Sequence, residues 1–210
     1  ATNVAFTQDG GFDIGGSTTI KVTSGSKKHV TILNTDNDFT GAVGVTNGNQ
    51  VKILTKGALV LGTNQGSWAN FYARGGEVTQ SGGSTLTFIN FISVDARASG
   101  GGTYYDVTLT NSGNDVTKIK NIYAKNFEYI DDDTSGTFSV GGNTTSGAQV
   151  TEDYKLTTRK QVVDYHRELI VGGTTTIIAQ NSAGTSKYNI VLDDVDHDFA
   201  TIGVTGAAVT

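Results

Sequence analysis

"VTILNTDNDFTGAVGVTNG", residues 30–48, places a hydrophobic residue at nearly every second position and breaks the alternation once, with Asp36-Asn37-Asp38 ahead of Phe39. Period-two alternation marks a strand with one buried face. The break is either a chemical site or a corner in a repeating scaffold. It recurs, since residues 107–116 read VTLTNSGNDV and residues 190–199 read IVLDDVDHDF. Aligned on it, Asn37, Asn114 and His197 correspond, as do Asp38, Asp115 and Asp198, at separations of 77 and 83 residues.

Upstream of the break, FDIGGSTTIKV (12–22) matches LIVGGTTTIIA (169–179), and SGGSTLTFINF (81–91) is a looser copy. Each unit opens on an apolar residue and Gly-Gly, runs through Thr-rich alternation and closes at the Asn/Asp knot. A long period with turn residues at fixed places is the signature of a stacked array. The alternating runs are short and joined by short Gly/Asn turns, which suits a coiled ribbon better than wide hairpins. Three strands and their corners take roughly 20 residues, so the chain is expected to make about ten coils, stacked to some 50 Å at the strand spacing. The absence of proline fits, because proline cannot donate to a ladder that is paired on both sides.

Composition agrees. Of 210 residues, 36% are hydrophobic and 17% charged, with 28 glycines and a surplus of β-branched and turn-forming types, which points to an all-β protein. A net charge of −5 argues against nucleic acid as a partner, since phosphate binding needs a basic surface. With no cysteine, disulfides and thiolate metal sites are excluded. No stretch approaches the ~18 apolar residues of a membrane helix, so no membrane insertion is expected.

The fold expected is a right-handed parallel β-helix, one solenoid over residues 1–210 with internal repeats at approximately 12–80, 81–137 and 138–210. The alternative is an immunoglobulin-like or jelly-roll β-sandwich, which residues 105–124 also suit. Only two hairpin-type dipeptides, Asp9-Gly10 and Asn47-Gly48, stand in the chain, which weighs against the sandwich. Segments 118–133 and 152–168 are unusually charged and aromatic, and read as strands with decorated outer faces or as excursions. Joined end to start, the chain keeps its phase, with IGVTGAAVT followed by ATNVAFTQDGGFDIGG reading like residues 43–62. The expectation is a slice of a longer array or a subunit that stacks on copies of itself.

NDFTGAVGVTNGNQVKI, GALVLGT, GGEVTQSG, VTLTNSGNDV and VGGTTTIIA resemble repeats of the filamentous-haemagglutinin type, found in large bacterial two-partner-secretion and autotransporter adhesins. The resemblance covers residues 12–210 in pieces and is strongest at 30–65, 107–116 and 169–210. It implies a right-handed parallel β-helix at the bacterial cell surface or outside the cell, working in adhesion or as a scaffold.

Three acidic clusters are candidate calcium ligands: Asp36/Asp38, Asp131–Asp133 and Asp193/Asp194/Asp196/Asp198. Calcium takes six to eight oxygens, and four carboxylates within six residues repel one another unless screened, so Asp193, Asp194, Asp196 and Asp198 form the preferred set. Against this, no EF-hand or calcium-roll spacing is present, and Asp or Asn at coil corners commonly caps backbone groups. No other cofactor is implied. His29, His166 and His197 lack metal-ligand spacing and stand in different repeats. Within GSWANFYARGG (66–76), alternation puts Trp68, Asn70, Tyr72 and Arg74 on one face and Ala69, Phe71 and Ala73 on the other. If the alanine side is core, Trp68, Tyr72 and Arg74 make an aromatic and cationic strip suited to sugar stacking or protein contact, unless Trp68 lies beneath the next coil. A second candidate surface holds Tyr154, Arg159, Tyr165, His166 and Arg167.

These readings converge on a non-enzymatic structural or adhesive module. Its expected partners are a host or neighbouring-cell surface protein or glycan, or copies of itself. The competing classes are a polysaccharide-degrading β-helix enzyme, which needs two carboxylates facing one groove, and a sandwich-fold filament subunit.

Overall fold

The computed structural model describes residues 6–23, 28–141, 148–164, 168–193 and 197–210. Among them are 21 strands and no helix. Every strand pairing is parallel, and the antiparallel pairs are two isolated bridges, Arg97 with Tyr104 and Gln180 with Lys187. Neighbouring strands running in one direction exclude the sandwich, whose sheets are antiparallel.

Three ladders wind the chain into a solenoid. The first face begins with Asp13–Ile14 and Asp38–Phe39 and continues through the start of Leu59–Ala73. Val78, Val107, Phe127, Tyr154, Thr175 and Ile202 carry it to the far end. The second face begins with Thr18–Lys21 and Val43–Thr46 and stacks Asn64, Leu86 and Thr87, then Asp115, Phe138, Val162 and Ile190. On the third face Phe6, Val30, Val51, Ala69 and Ile92 lie in register, followed by Lys118–Ala124, Ala148–Val150, Val171 and Phe199. The chain makes about eight turns rather than the ten expected. Longer corners account for the difference: Phe127 to Tyr154 and Ile92 to Ile119 each take 27 residues per turn, and residues 97–104 and 180–187 leave the coil and return across an antiparallel bridge without adding a rung.

Alternate side chains point inward and fill one continuous apolar column. Val30, Ile53, Leu61, Phe71, Leu86, Val107, Tyr129, Leu156 and Ile177 are among its fully buried members. Inside it Phe127 stacks on Tyr154 with centroids 5.2 Å apart, and Tyr129 on Phe138 at 5.6 Å. Such pairs contribute roughly 0.5–1.5 kcal/mol beyond their buried area. Segments 118–133 and 152–168 therefore supply ordinary rungs through residue 164, with their charges on the outer side apart from the buried Asp131 and Lys160; residues 165–167 lie outside the described residues. The Gly-Gly pairs at 75–76 and 172–173 sit where the third face turns into the first. There a Cβ on Gly75 would stand 2.4 Å from the Lys56 carbonyl oxygen, and one on Gly172 2.5 Å from that of Thr151.

The sequence repeat and the turn do not coincide. From Val30 the third face climbs three turns, through Val51 and Ala69 to Ile92, before the equivalent Val107 appears on the first face. From Val107 the first face climbs three more, through Phe127 and Tyr154 to Thr175, before the equivalent Ile190 appears on the second. Each repeat thus advances the chain by three and a third turns, and the Asn/Asp knot visits all three corners once.

At each corner the knot does the same work. The Asn37 side-chain oxygen accepts the Phe12 N–H (2.9 Å), that of Asn114 the Leu86 N–H (3.0 Å), and His197 Nδ1 the Leu169 N–H (3.0 Å), always one turn below. Upward, Asn37 donates to the Leu54 carbonyl and Asn114 to that of Ile130. A side chain from below completes each set. Gln8 and Asn37 exchange amide hydrogen bonds, and Gln80 and Asn114 do so at 2.9 and 3.0 Å. In the third repeat the corresponding pair is Asp164 and His197, with Oδ1 and Nε2 3.6 Å apart and side chains only 1% and 5% exposed. The opening question therefore resolves as a corner: the knot ties adjacent turns together.

The equivalence is testable. Replacing Asp164 by Gln and His197 by Asn restores the amide pair of the other repeats, closes the 3.6 Å gap and removes a buried charge. Each single change is expected to lose about 1–2 kcal/mol through a mismatched buried polar group, while the double variant returns to wild type or rises above it by ~1 kcal/mol. Denaturant titration of all four proteins checks this, and a double variant weaker than both singles contradicts the equivalence.

Candidate functional site

The outer side of the third face between residues 50 and 123 gathers aromatic and cationic side chains. Ala69, Phe71 and Ala73 point into the core, as alternation requires, so Trp68, Asn70, Tyr72 and Arg74 project outward. The rungs then align them. Trp68 is register-paired with Phe91 and stacks on it, centroids 5.4 Å apart and planes 12° from parallel. The Lys52 ammonium lies 5.3 Å from the Trp68 ring and that of Lys120 lies 4.8 Å from Phe91, so a cation closes the stack at each end. Each such contact is worth about 0.5–1 kcal/mol at a surface. Trp68 thus lies under the next coil, its ring faces already covered. It stiffens the face and leaves little ring to stack on a sugar.

Further along the same strands, Tyr72, Asp95 and Tyr123 occupy one register column. Asp95, 8% exposed, is held from both sides. Arg97 grips it with Nε and Nη2 at 2.8 and 2.9 Å, and Arg74 Nη1 reaches it at 3.0 Å while also donating to the Arg97 carbonyl. The Arg97 guanidinium lies 3.4 Å from the Tyr123 ring centroid, and Arg74 lies 5.2 Å from that of Tyr72. Burial, and secondarily the Asp95 charge, push the Tyr72 hydroxyl above its usual pKa. Beside this group the 97–104 excursion forms a wall, closed by Ala98 N–H to Thr103 carbonyl and Gly101 N–H to Ala98 carbonyl hydrogen bonds, with Gly101 at φ +77°. The resulting cleft, about 450 Å³, is lined by Thr35, Leu54, Arg74, Arg97, Ser99 and the glycines 100 and 101.

A second chemical cluster lies at the corner between the first and second faces. Lys160, 2% exposed, points its ammonium at Asp131 (3.2 Å), Asp133 (3.0 Å) and Asp115 (3.3 Å). Asp131 ends its strand and turns inward, where its carboxylate accepts the Val116 N–H and the Thr158 hydroxyl, both at 3.2 Å. Burial raises its pKa to about 6 against the opposing pull of Lys160. Asp133, hydrogen-bonded to Ser135 and Lys160, is lowered to about 2. An acid catalyst must both hold a proton near neutrality and touch its substrate. Here Asp131, which holds its proton to the higher pH, is buried, and Asp115 and Asp133 are the members that solvent reaches.

Other sequence candidates fare differently. Tyr154 belongs to the core, 1% exposed and stacked on Phe127, so its place on a recognition surface is corrected: in YKLTT the tyrosine falls on the inward phase. Arg159 is half-buried and paired with Asp132 at 2.7 Å, away from Trp68. Tyr165, His166 and Arg167 lie outside the described residues, as do Asp194 and Asp196. Asp193 and Asp198 are exposed, and among the described residues no group of three or more acids or histidines is placed to hold a metal ion. The counter-charge of the 131–133 cluster is Lys160, a residue the sequence reading passed over. The sequence offered no signal for it, since Lys160 stands far along the chain from the three aspartates and only the stacking of turns brings them together.

A family model described as repeats of unknown function (DUF5649) matches residues 1–46, 48–122 and 132–206. The chain belongs to that repeat family. Asn37, Asn114 and His197 stand 9, 8 and 9 residues before the ends of the matched segments, so this DUF5649 array repeats in step with the corner knots. No curated protein and no solved structure matches the chain.

Proposed function

We propose that this chain is an extracellular structural and adhesive module of a bacterial surface protein, displaying its third face to a partner and performing no catalysis. The observation that carries the reading is the continuity of the ladders. About eight turns of paired strands hold a rigid external sheet in register, and the polar residues inside serve to tie turn to turn. The filamentous-haemagglutinin resemblance of the repeats supports a surface location. Beads coated with the purified chain are expected to be retained on cell layers or immobilised glycans, and uncoated beads to wash away. Retention equal to that of uncoated beads defeats the proposal.

One observation favours a glycan-degrading reading. Asp115 and Asp133 both contact Lys160, at 3.3 and 3.0 Å, in a shared cleft, so two carboxylates face one groove as a glycosidase requires. The low pKa of Asp133 and the burial of Asp131 favour the adhesive reading. A reducing-sugar assay on plant and bacterial glycans decides between them, and new reducing ends that vanish in Asp133→Asn establish the enzyme.

A further inference from the structure

We infer that the cleft between Arg74, Arg97 and the 97–104 excursion is a binding site for the carboxylate of an acidic, uronate-containing glycan. Charge is the first argument. Two guanidiniums face one carboxylate, and Asp95 is the only acid paired with either among the described residues, so one positive charge is left at the cleft. The chain as a whole carries −5, which makes this a local exception. Geometry is the second. Arg97 commits Nε and Nη2 to Asp95, one planar face to Tyr123 and a side-chain hydrogen bond to Tyr104, so it is held rigid. Arg74 is anchored through a single nitrogen, Nη1, and a guanidinium offers five N–H donors in a planar fork that matches a carboxylate. Such a pre-set pair adds a second carboxylate without reordering its side chains.

Lining chemistry selects the class of ligand. Thr35 and Ser99 bring hydroxyls and the glycines of the excursion bring exposed backbone, a surface suited to a ligand rich in hydroxyl groups. Net negative charge disfavours nucleic acid. The inference rests on the adhesive reading only for the ligand being a surface polymer.

The test uses calorimetric titration with oligogalacturonate, its carboxyl-reduced neutral counterpart and poly-glutamate. Oligogalacturonate is expected to bind, and to bind at least tenfold more weakly once Arg74→Gln removes one charge-assisted contact. Gly100→Asp is the second variant. A Cβ there meets nothing within 4 Å, so the fold is kept while a carboxylate fills the site, and binding is expected to vanish. Lys155→Gln, whose lysine pairs with Glu128 on the first face, is expected to bind as wild type. Equal binding of acidic and neutral oligosaccharides, tighter binding of poly-glutamate, absence of binding, or unchanged affinity in both cleft variants each overturns the proposal. Uronate binding lost in both cleft variants, but without bead adhesion, upholds the site and overturns the adhesive reading.

Discussion

Lys160→Met is expected to cost about 3–5 kcal/mol at pH 7, the range for removing one partner of a buried ion pair. Methionine matches the aliphatic stem, so the loss isolates the ammonium. Without it Asp131, fully enclosed, faces Asp115 and Asp133 with only the Val116 N–H and the Thr158 hydroxyl for support. The pH dependence has a definite sign. In the wild type Asp131 titrates at about 6 in the fold against 3.8 when unfolded, so the folded state is the better proton acceptor between those values. That group's penalty is absent below pH 3.8, grows through pH 6 and is complete above it, at about 3 kcal/mol. Asp133 acts oppositely: its pKa of about 2 gives stability that is present above 3.8 and lost as pH falls toward 2. Together they place the cluster's optimum near pH 4.

In Lys160→Met the Asp131 penalty is larger, so the deficit against wild type should shrink as pH drops from 7 to 5. Adding Asp131→Asn should restore most of the loss, since an asparagine oxygen can still accept the Val116 N–H and no charge remains to be compensated. Thermal denaturation of the four proteins at pH 5 and pH 7 measures this. A Lys160→Met protein within 1 kcal/mol of wild type at both pH values sinks the account.

How much of this was readable beforehand follows from what each feature depends on. The parallel coil was legible because its cause is local: alternation fixes which residues face inward, and Asn or Asp at the breaks fixes the corners. Ala69, Phe71 and Ala73 went to the core as their spacing required. Coil number was misread because long corners, the 97–104 and 180–187 excursions among them, carry the same Gly/Ser/Thr vocabulary as short turns. Tyr154 was misassigned because tyrosine serves both core and surface, and a one-residue phase decides which. The Lys160 cluster and the Arg74–Asp95–Arg97 group were invisible for another reason. Their members stand 2 to 45 residues apart, and only the stacking of successive turns brings them together. The resemblance of the three knots could be seen in sequence, but the rotation from corner to corner could not. It depends on the repeat's being three and a third turns long.

Asn114→Ala is expected to lose roughly 3–4 kcal/mol, because one side chain there satisfies several buried backbone groups at once. Its oxygen accepts the Leu86 N–H, its nitrogen donates to the carbonyls of Leu109 and Ile130, and both atoms pair with Gln80. Asn114 is fully buried, so water cannot take over these bonds, and each orphaned group carries a penalty of about 1–3 kcal/mol. The equivalence of the corners makes a sharper demand. Histidine performs this role at position 197 through Nδ1, so Asn114→His should keep the Leu86 bond and lose less than alanine does. Adding Gln80→Asp supplies the carboxylate that faces His197 in the third repeat and should recover a further 1 kcal/mol or so. Hydrogen exchange locates the effect: the Leu86 amide should lose protection in Asn114→Ala and retain it in Asn114→His with Gln80→Asp. If alanine and histidine destabilise equally, and the Leu86 amide opens in both, the corners share only a sequence pattern, and the turns are held together by the ladders and the apolar column alone.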